Sequence, residues 1–491
     1  PQAAHEASRE TAPSGTSASN ALQPMASPGK SAPPPQKPLS LKPPKSGQVG
    51  GVIEPKEVHL AHGVVYYAWD DGIHGEEPWA IPELGKPHLL GDVNPGPEGS
   101  HPHDFVDIDN RLYFAATSES EGEEIWFTWG FEHGKFSTPE LLLDILPGPG
   151  GAAPDLQSAH GHTLLFYATT FSEGRELWRT NGAAKQTSIV ADLYPGQEDS
   201  CTHPNPRYWT FDDAACFISS QPDGFYLQRY VWATNQLDSP LPVSFCTTTV
   251  CSMNGLLLFP HNGRDESGEE LWRFDPKSRD LQLVYDIWPG TESSTPRALF
   301  AWPEKSLLLF GADDGEVGYE LWRSDGTPEG TYRLMDINPG TEPSDPGVFI
   351  DMGDSVIFRA IDPGHGRELW VTDGTAAGTH LLLDLAPGTA SSNPYGETRV
   401  GDRLFFSGAD GGTYGEELWV AEKSQGQWTT RLAADLLPGV MSSFPRVHPV
   451  DDKSAIVVAN RRLFDRWFHR MEIASDGTIV FTELPRAENS E

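Results

Sequence analysis

Three histidines stand near the starts of the second and fourth repeats of the chain, and together they could bind a transition metal. His101 and His103 flank a proline, and His203 lies at a corresponding point further along the chain. Imidazole nitrogens from converging loops are good ligands for Zn²⁺ or Cu²⁺. The chain has 16 histidines in all, so the alternative interpretation is that these are ordinary exposed loop residues.

Acidic, glycine-containing loops offer a second kind of chemistry. Calcium prefers six to eight oxygen ligands, and carboxylates suited to it occur at Asp70, Asp71, Asp265, Asp313, Asp314 and Asp410. None of these loops matches an EF-hand pattern. Asp-Gly turns also form without a metal, so turn formation is the competing interpretation.

Motifs for nucleophilic, zinc-protease or phosphate chemistry are absent from the sequence. Paired carboxylates such as Glu123-Glu124 and Glu269-Glu270 recur in phase with a Gly-x-Glu-Leu-Trp motif. Because they recur with the motif, we interpret them as parts of the sheet architecture rather than as a glycosidase pair.

The charge balance restricts the class of partner. With 35 Lys+Arg against 70 Asp+Glu, the formal net charge is −35, which would repel nucleic acid and anionic membrane surfaces. No apolar run is long enough for a transmembrane segment. A protein or a glycan remains as the expected partner, and the oligomeric state cannot be derived from the sequence.

Tryptophans recur at intervals of 40 to 54 residues and mark a repeat. The anchors are Trp79, Trp126, Trp178, Trp232, Trp272, Trp322, Trp370 and Trp419, and a ninth copy places Ile473 at this position. A second motif, Asp-aliphatic-x-Pro-Gly, follows most anchors and begins at Asp92, Asp144, Asp192, Asp286, Asp336, Asp384 and Asp435.

Each repeat divides into four strand-length pieces. In the eighth these are 395–400, 403–407, 417–421 and 429–433. Repeated four-stranded units of this length are typical of propeller blades, because a single sheet cannot cover both of its faces alone. We therefore predict an all-β fold, a β-propeller of nine blades, with eight as the alternative if the irregular fourth unit is an insertion. Loops between strands two and three, and those between blades, should share one face.

The motifs Gly318–Thr327, Gly366–Thr375 and Gly174–Gly182 resemble those of the bacterial ELWxxDGT repeat family. The resemblance covers nearly all of residues 56–484 and is weakest in units one, four and nine. It implies a secreted or cell-surface β-propeller and supplies no catalytic residues.

The predicted propeller spans residues 53–487, in units 53–97, 98–149, 150–197, 198–247, 248–291, 292–341, 342–389, 390–440 and 441–487. Residues 1–52 are rich in Pro, Ser and Ala and are expected to be a disordered leader. We interpret this leader as a tether to the cell envelope, or alternatively as a tail without a role. The protein is expected to be exported to the periplasm, the outer membrane surface or the medium, after removal of a signal segment not present in this chain.

The fourth unit lacks the Pro-Gly motif and is rich in aromatic residues. Tyr208, Trp209, Phe225 and Tyr226 are candidates for partner binding there, although the unit could equally have drifted. The four cysteines, Cys201, Cys216, Cys246 and Cys251, lie within about 50 residues of one another. One or two disulfides are expected, with buried free thiols as the alternative.

Three hypotheses of function follow. The first is a non-enzymatic exported scaffold that presents an acidic loop face to a protein or glycan. The second is an enzyme whose site lies at the mouth of the central channel, with His101, His103 and His203 as the metal ligands if it is metal-dependent. The third is a calcium-stabilised surface protein.

Overall fold

Each sequence repeat folds as one antiparallel sheet, and nine such sheets form the blades of a β-propeller. The computed structural model describes residues 58–82, 86–130, 135–200, 208–243, 250–263, 267–439, 441–462 and 465–483. This confirms the prediction of nine blades over eight, because unit four forms a sheet of its own. The predicted leader lies outside the described residues.

The first four blades contain strands β1 to β17. Blade 1 has β1 (Val58–Ala61), β2 (Val64–Asp70), β3 (Glu76–Pro82) and β4 (His88–Leu89). Blade 2 has β5 (His103–Ile108), β6 (Arg111–Ser118), β7 (Gly122–Trp129) and β8 (Glu140–Leu143). Blade 3 has β9 (Asp155–His160), β10 (Thr163–Thr170), β11 (Gly174–Thr180) and β12 (Ser188–Ala191). Blade 4 has β13 (Tyr208–Thr210), β14 (Ala214–Gln221), β15 (Gly224–Val231), β16 (Gln236–Leu237) and β17 (Leu241–Val243).

The next five blades are regular. Blade 5 has β18 (Cys251–Met253), β19 (Leu256–Asn262), β20 (Glu269–Asp275) and β21 (Asp280–Tyr285). Blade 6 has β22 (Arg297–Trp302), β23 (Leu307–Asp313), β24 (Tyr319–Ser324) and β25 (Tyr332–Met335). Blade 7 has β26 (Gly347–Asp351), β27 (Val356–Asp362), β28 (Gly366–Thr372) and β29 (His380–Leu383). Blade 8 has β30 (Tyr395–Val400), β31 (Arg403–Gly408), β32 (Glu417–Ser424) and β33 (Gln427–Ala434). Blade 9 has β34 (Arg446–Asp451), β35 (Ser454–Arg462), β36 (Asp465–Ile473) and β37 (Ile479–Glu483).

Helix is almost absent from the described residues. It is limited to two single 3₁₀ turns, Ala184–Gln186 and Pro303–Lys305. No helix in the described part of the chain is both long and apolar enough to cross a membrane.

Within the Glu-Leu-Trp motif, neighbouring side chains serve opposite interfaces because successive strand residues face opposite sides of a sheet. Trp322 of blade 6 packs with Leu258 and Leu271 of blade 5, whereas Leu321 packs with Phe358 and other side chains of blade 7. Each interior interface of this type therefore joins the leucine of one blade to the tryptophan of the next.

Packing between the first and last blades closes the ring. Val450 of blade 9 packs against Val65, Tyr67 and Trp79 of blade 1. The strands of blade 1 are consecutive in the chain, and so are those of blade 9. Closure therefore depends on side-chain contacts and not on a strand exchanged between the two ends.

Blade 9 corrects one detail of the repeat alignment. Ile473, expected at the tryptophan position, is the last residue of β36 and pairs with Ile479. His469 instead pairs with Val457, at the level where Trp419 pairs with Phe406 in blade 8. In blade 9 the turn begins directly after Ile473, so the Asp-Gly-Thr sequence stands at a different distance from the tryptophan level than in the other blades. Alignment on Asp-Gly-Thr therefore assigned the wrong residue to the tryptophan position.

The first strand of each blade lies innermost, because first strands of successive blades contact each other, as β22, β26, β30 and β34 do. The loops between strands two and three lie on the same face as the connectors between blades, as predicted. Gly122, in such a loop, adopts φ +73°, and a Cβ there would lie 2.3 Å from the backbone nitrogen of Gly151 in the following connector. We call this face the upper face.

Candidate functional site on the upper face

The glutamate of the Gly-x-Glu-Leu-Trp motif binds the connector that leads to the next blade. Glu320 is fully buried, and its Oε2 accepts hydrogen bonds from the backbone N–H of Ile337 at 2.8 Å and from the Ser344 hydroxyl at 2.6 Å. Its Oε1 accepts from the backbone N–H of Ser344 at 3.1 Å. Glu270 and Glu368 make the same contacts with Ser294 and Ser392.

Burial raises the pKa of these glutamates, to about 7 for Glu124, Glu176, Glu270 and Glu417. A raised pKa in a carboxyl group can indicate a catalytic acid. Here the carboxylate oxygens accept hydrogen bonds from backbone N–H groups of the connector. This supports a structural role for the Glu-Glu pairs.

The aspartates proposed as calcium ligands act as acceptors within their own turns. Asp70 Oδ1 accepts from the backbone N–H of Gly72 at 2.7 Å, and Asp71 Oδ1 accepts from those of Ile73 and His74. Asp71 also contacts the His74 ring, with its Oδ2 2.8 Å from Nδ1.

The same turn geometry recurs in blades 6 and 8. Asp313 accepts from the backbone N–H of Gly315, and Asp314 accepts from that of Glu316 and pairs with Arg333. Asp410 accepts from three successive N–H groups, of Gly412, Thr413 and Tyr414. Asp265 lies outside the described residues. Calcium binding stays a prediction.

The two described histidines of the predicted metal site each pair with carboxylates. His101 Nδ1 lies 2.8 Å from Glu76 Oε2, and His103 Nε2 lies 3.0 Å from Glu123 Oε1. His203 lies outside the described residues. Among the residues whose positions are described, no group of three or more His, Cys, Asp and Glu is arranged to hold a metal ion.

His103 belongs to a charged cluster at the upper end of blades 2 and 3. Hydrogen bonding to Asp104 and to Glu123 raises its pKa to about 10. Burial, and then the charge of Asp104, raise the pKa of Asp155 to about 6, opposed by Arg175, whose Nη2 lies 3.5 Å from Asp155 Oδ2. The cluster thus combines a cationic imidazole with a carboxyl group that titrates near neutrality.

The connectors carry an acidic feature that sequence reasoning missed. Four of them place an exposed glutamate at the same repeat position, two residues after Pro-Gly, and we call these residues the acidic crown: Glu98, Glu198, Glu292 and Glu342. The repeated Pro-Gly-x-Glu string was a visible signal. In the sequence, the Pro-Gly motif served only as a marker of the repeat, so the glutamate two residues later was not considered.

The upper ends of the inner strands differ from blade to blade, although the buried residues around them recur. The first residues of these strands include His103, Asp155, Arg297, Tyr395 and Arg446. The x position of Gly-x-Glu is likewise variable, with Glu76, Glu123, Arg175, Glu269, Tyr319, Arg367 and Glu416.

The aromatic residues proposed for partner binding in blade 4 contribute to packing between blades. Tyr208 lies against Phe217, with ring centroids 5.0 Å apart, and Trp209 Nε1 donates to the backbone carbonyl of Val250. Phe225 also packs against a core cluster, and the Tyr226 hydroxyl donates to Asp223. All four are half-buried, so only part of each side chain is available to a partner.

Two of the four cysteines, Cys216 and Cys251, can be described, and Cys216 is a free thiol. Cys216 is buried, which raises its pKa to about 12. The Cys251 thiol lies 3.1 Å from the backbone carbonyl of Leu299. The alternative of a buried free thiol is therefore correct for Cys216, while Cys201 and Cys246 lie outside the described residues.

The class of protein that the fold defines is a nine-bladed β-propeller. No family model and no curated protein matches the chain. Similar solved structures include one of two prolyl endopeptidases, with 12% identity over 77% of this chain and 55% of that chain and a TM-score of 0.38. A post-proline cleaving enzyme from Rickettsia typhi matches with 10% identity over 79% and 53%, with a TM-score of 0.41.

The tricorn protease is similar as well, with 11% identity, coverage of 88% of this chain and 49% of that chain, and a TM-score of 0.32. The chain spans about half the length of these proteins. At this level of similarity the matches carry no inference about activity.

Proposed function

We propose that this protein is a non-enzymatic binding scaffold whose upper face contacts a partner protein. The observation that carries this proposal is the contrast between recurring buried contacts, such as Glu320 with Ser344, and the residues that vary from blade to blade at the same loops, of which Arg297 and Arg446 are exposed. Rigid frameworks that display variable surface loops are typical of binding proteins.

The charge of the upper face favours a basic partner. The acidic crown adds four exposed carboxylates to a chain of net charge −35. Complementary charge accelerates association and selects partners. We accordingly propose a protein with a basic surface, with a neutral glycan as the alternative ligand. Export to the envelope or the medium belongs to the same proposal and is supported by composition and repeat resemblance.

Pull-down from envelope extract by the immobilised full chain tests the proposal. The test variant changes the acidic crown to glutamine at Glu98, Glu198, Glu292 and Glu342. The control variant removes four exposed acids in or directly beside turns at the opposite face: Asp280→Asn, Glu304→Gln, Glu329→Gln and Asp452→Asn. Both variants have the same net charge.

We expect a specific partner to be retained by the wild type and by the control, and to be lost with the crown variant. Because screening weakens exposed charges, retention should also fall as salt rises. Equal retention by both variants would refute a role for the upper face, and glycan-array binding without protein capture would favour the glycan alternative.

A second function is favoured by the cluster of His103 and Asp155, because perturbed pKa values concentrate at reactive sites. In that case the protein is an enzyme with its site at the mouth of the channel. Elemental analysis of the purified chain and of His103→Ala distinguishes the two. Stoichiometric zinc or copper that is lost in the variant supports the enzyme, and metal-free wild type argues against a metal-dependent one.

A further inference from the structure

The chain contains the same reactive dipeptide, Asn-Gly, at Asn181, Asn254 and Asn262. An asparagine followed by glycine can lose its side-chain amide, because glycine has no side chain that hinders attack by its own backbone nitrogen. The local structure decides whether that attack occurs. Asn262 adjoins residues 264–266, which lie outside the described residues, so the comparison below uses the other two.

The turn at Asn181 holds both of the groups that would react. The Asn181 Oδ1 accepts a hydrogen bond from the backbone N–H of Ala183 at 3.3 Å, and its Nδ2 donates to Gln186. The N–H of Gly182, whose nitrogen is the potential nucleophile, donates to the Thr180 hydroxyl at 3.0 Å. Attack at Asn181 therefore requires these hydrogen bonds to be broken first.

Asn254 and Gly255 form the two-residue turn between β18 and β19, where Met253 pairs with Leu256. Both turn residues have positive φ, +53° and +78°, as a type I′ turn requires. Both are exposed, and a Cβ on Gly255 would meet nothing within 4 Å. In the described part of the chain, no hydrogen bond engages the Asn254 side chain or the Gly255 N–H. The Asn254 amide can therefore approach the nitrogen of Gly255 without losing a contact.

We propose that Asn254 is a site of spontaneous deamidation and isoaspartate formation. The deprotonated backbone nitrogen of Gly255 attacks Cγ of Asn254, a N–Cγ bond forms, and the Cγ–Nδ2 bond breaks with release of ammonia. Water then opens the resulting succinimide at one of its two carbonyl carbons. Opening at Cγ gives aspartate in a normal backbone, and opening at the backbone carbonyl gives isoaspartate, whose chain runs through Cβ and Cγ.

The turn at Asn254 supports the contact between blades 5 and 6. A Cβ on Gly326, in the turn after β24, would lie 3.9 Å from the side chains of both Met253 and Leu256. The Gly326 carbonyl accepts a hydrogen bond from Arg273 of blade 5 at 2.8 Å. Isoaspartate adds one carbon to the backbone between Met253 and Leu256, and the length of a hairpin turn fixes its register. The modification therefore displaces the surface on which the Gly326 turn packs.

Incubation of the full chain at mildly alkaline pH, followed by tandem mass spectrometry of its peptides, tests the site. Fragment spectra locate each conversion, so the three asparagines are scored separately in one sample. We expect Asn254 to be converted at least about tenfold faster than Asn181, because the hydrogen bonds around Asn181 must first be broken. The rate at Asn254 should rise with pH, since the attacking amide must lose its proton. In urea, where the fold is lost, the two rates should become similar.

Two variants test the effect on the blade interface. Asn254→Asp carries the charge of the product on a normal backbone, and Asn254→Gln forms the cyclic intermediate far more slowly. Aged wild type, with its isoaspartate content measured by an isoaspartate-specific methyltransferase, should unfold at lower urea than fresh Asn254→Asp. Asn254→Gln should keep its urea midpoint through the same incubation, which controls for other changes on ageing.

Equal conversion of Asn254 and Asn181 in the folded chain, or a difference that persists in urea, would overturn the assignment of the site. Aged wild type that unfolds like fresh Asn254→Asp would overturn the effect on the interface between blades 5 and 6. The turn lies between first and second strands, on the face opposite the upper face. These outcomes are therefore independent of partner binding by the acidic crown.

Discussion

The guanidinium of Arg323 donates from Nη1 to the backbone carbonyl of Gly374, 2.8 Å away in the next blade. The contact recurs between Arg273 and Gly326, also at 2.8 Å. It explains why arginine follows tryptophan in these repeats and why the turn reads Asp-Gly-Thr. Gly374 adopts φ +86°, so the turn presents its carbonyl in a conformation that glycine tolerates best.

Loss of this contact should weaken the interface between blades 6 and 7. We expect Arg323→Met to lower the free energy of unfolding by about 1.5 to 3 kcal/mol, the usual range for a hydrogen bond to a charged group. Urea denaturation followed by tryptophan fluorescence measures it. Lys277→Met, which removes an exposed cation in a turn of the same face, should have little effect. A similar loss of stability in both variants would contradict a stabilising role for the contact between Arg323 and Gly374.

The buried glutamates should make stability depend on pH. Burial raises the pKa of Glu270 from about 4.5 to about 7, so the folded state binds the proton more tightly than the unfolded state. The stabilising contribution is complete below pH 4.5, declines as pH rises, and is lost above about pH 7.

Glu270→Gln removes this titration. The urea midpoint of the variant should therefore lie further below that of the wild type at pH 5 than at pH 8. Glu316→Gln, in an exposed loop, serves as the control and should show the pH profile of the wild type. If the difference in urea midpoint between wild type and variant increases with pH, hydrogen bonds from the N–H donors, and not burial, determine the pKa of Glu270.

A strained residue stands at the bulge of the innermost strand in blade 7. Val348 adopts φ +51° and is 45% exposed, while blade 8 has Gly396 at the matching position with φ +66°. The left-handed region costs a residue with a Cβ roughly 1–2 kcal/mol. Val348→Gly should raise the melting temperature and Gly396→Val should lower it. If Val348→Gly is destabilising, the side chain makes contacts that outweigh the strain.

The charged cluster near the channel can be tested by titration. His103 carries positive charge that lowers the pKa of Asp155, which is nevertheless raised to about 6 by burial and by Asp104. His103→Gln should therefore raise the pKa of Asp155 further, as followed by carboxyl NMR shifts. His162→Gln, at a largely exposed histidine, is the control and should leave Asp155 unchanged. An unchanged value in His103→Gln would mean that the two groups are not coupled.

The sequence was sufficient for the fold because two motifs marked every regular blade independently. Leu321 and Trp322 face opposite interfaces, as the two-residue periodicity of a strand requires of neighbouring side chains. Ile473 was misassigned because a turn motif aligns residues along the chain and does not report cross-strand register.

The site was less predictable, because side-chain pairing depends on distances across blades. Nothing in the spacing of His101 indicates that Glu76, in the preceding blade, would lie against it. The apolar residues Met441 and Phe444 were visible in the sequence. The sequence alone did not show that both side chains are exposed.

The contact of Val450 with Val65 has a mechanical consequence. Along the chain, each blade is followed by a covalent connector to the next, whereas blade 9 is the last blade and is not followed by one. Among the described residues, blades 9 and 1 are joined by side-chain packing, so a force that separates those two sheets acts against that packing. The ring can therefore open between blades 9 and 1 while the other blades stay linked through their connectors.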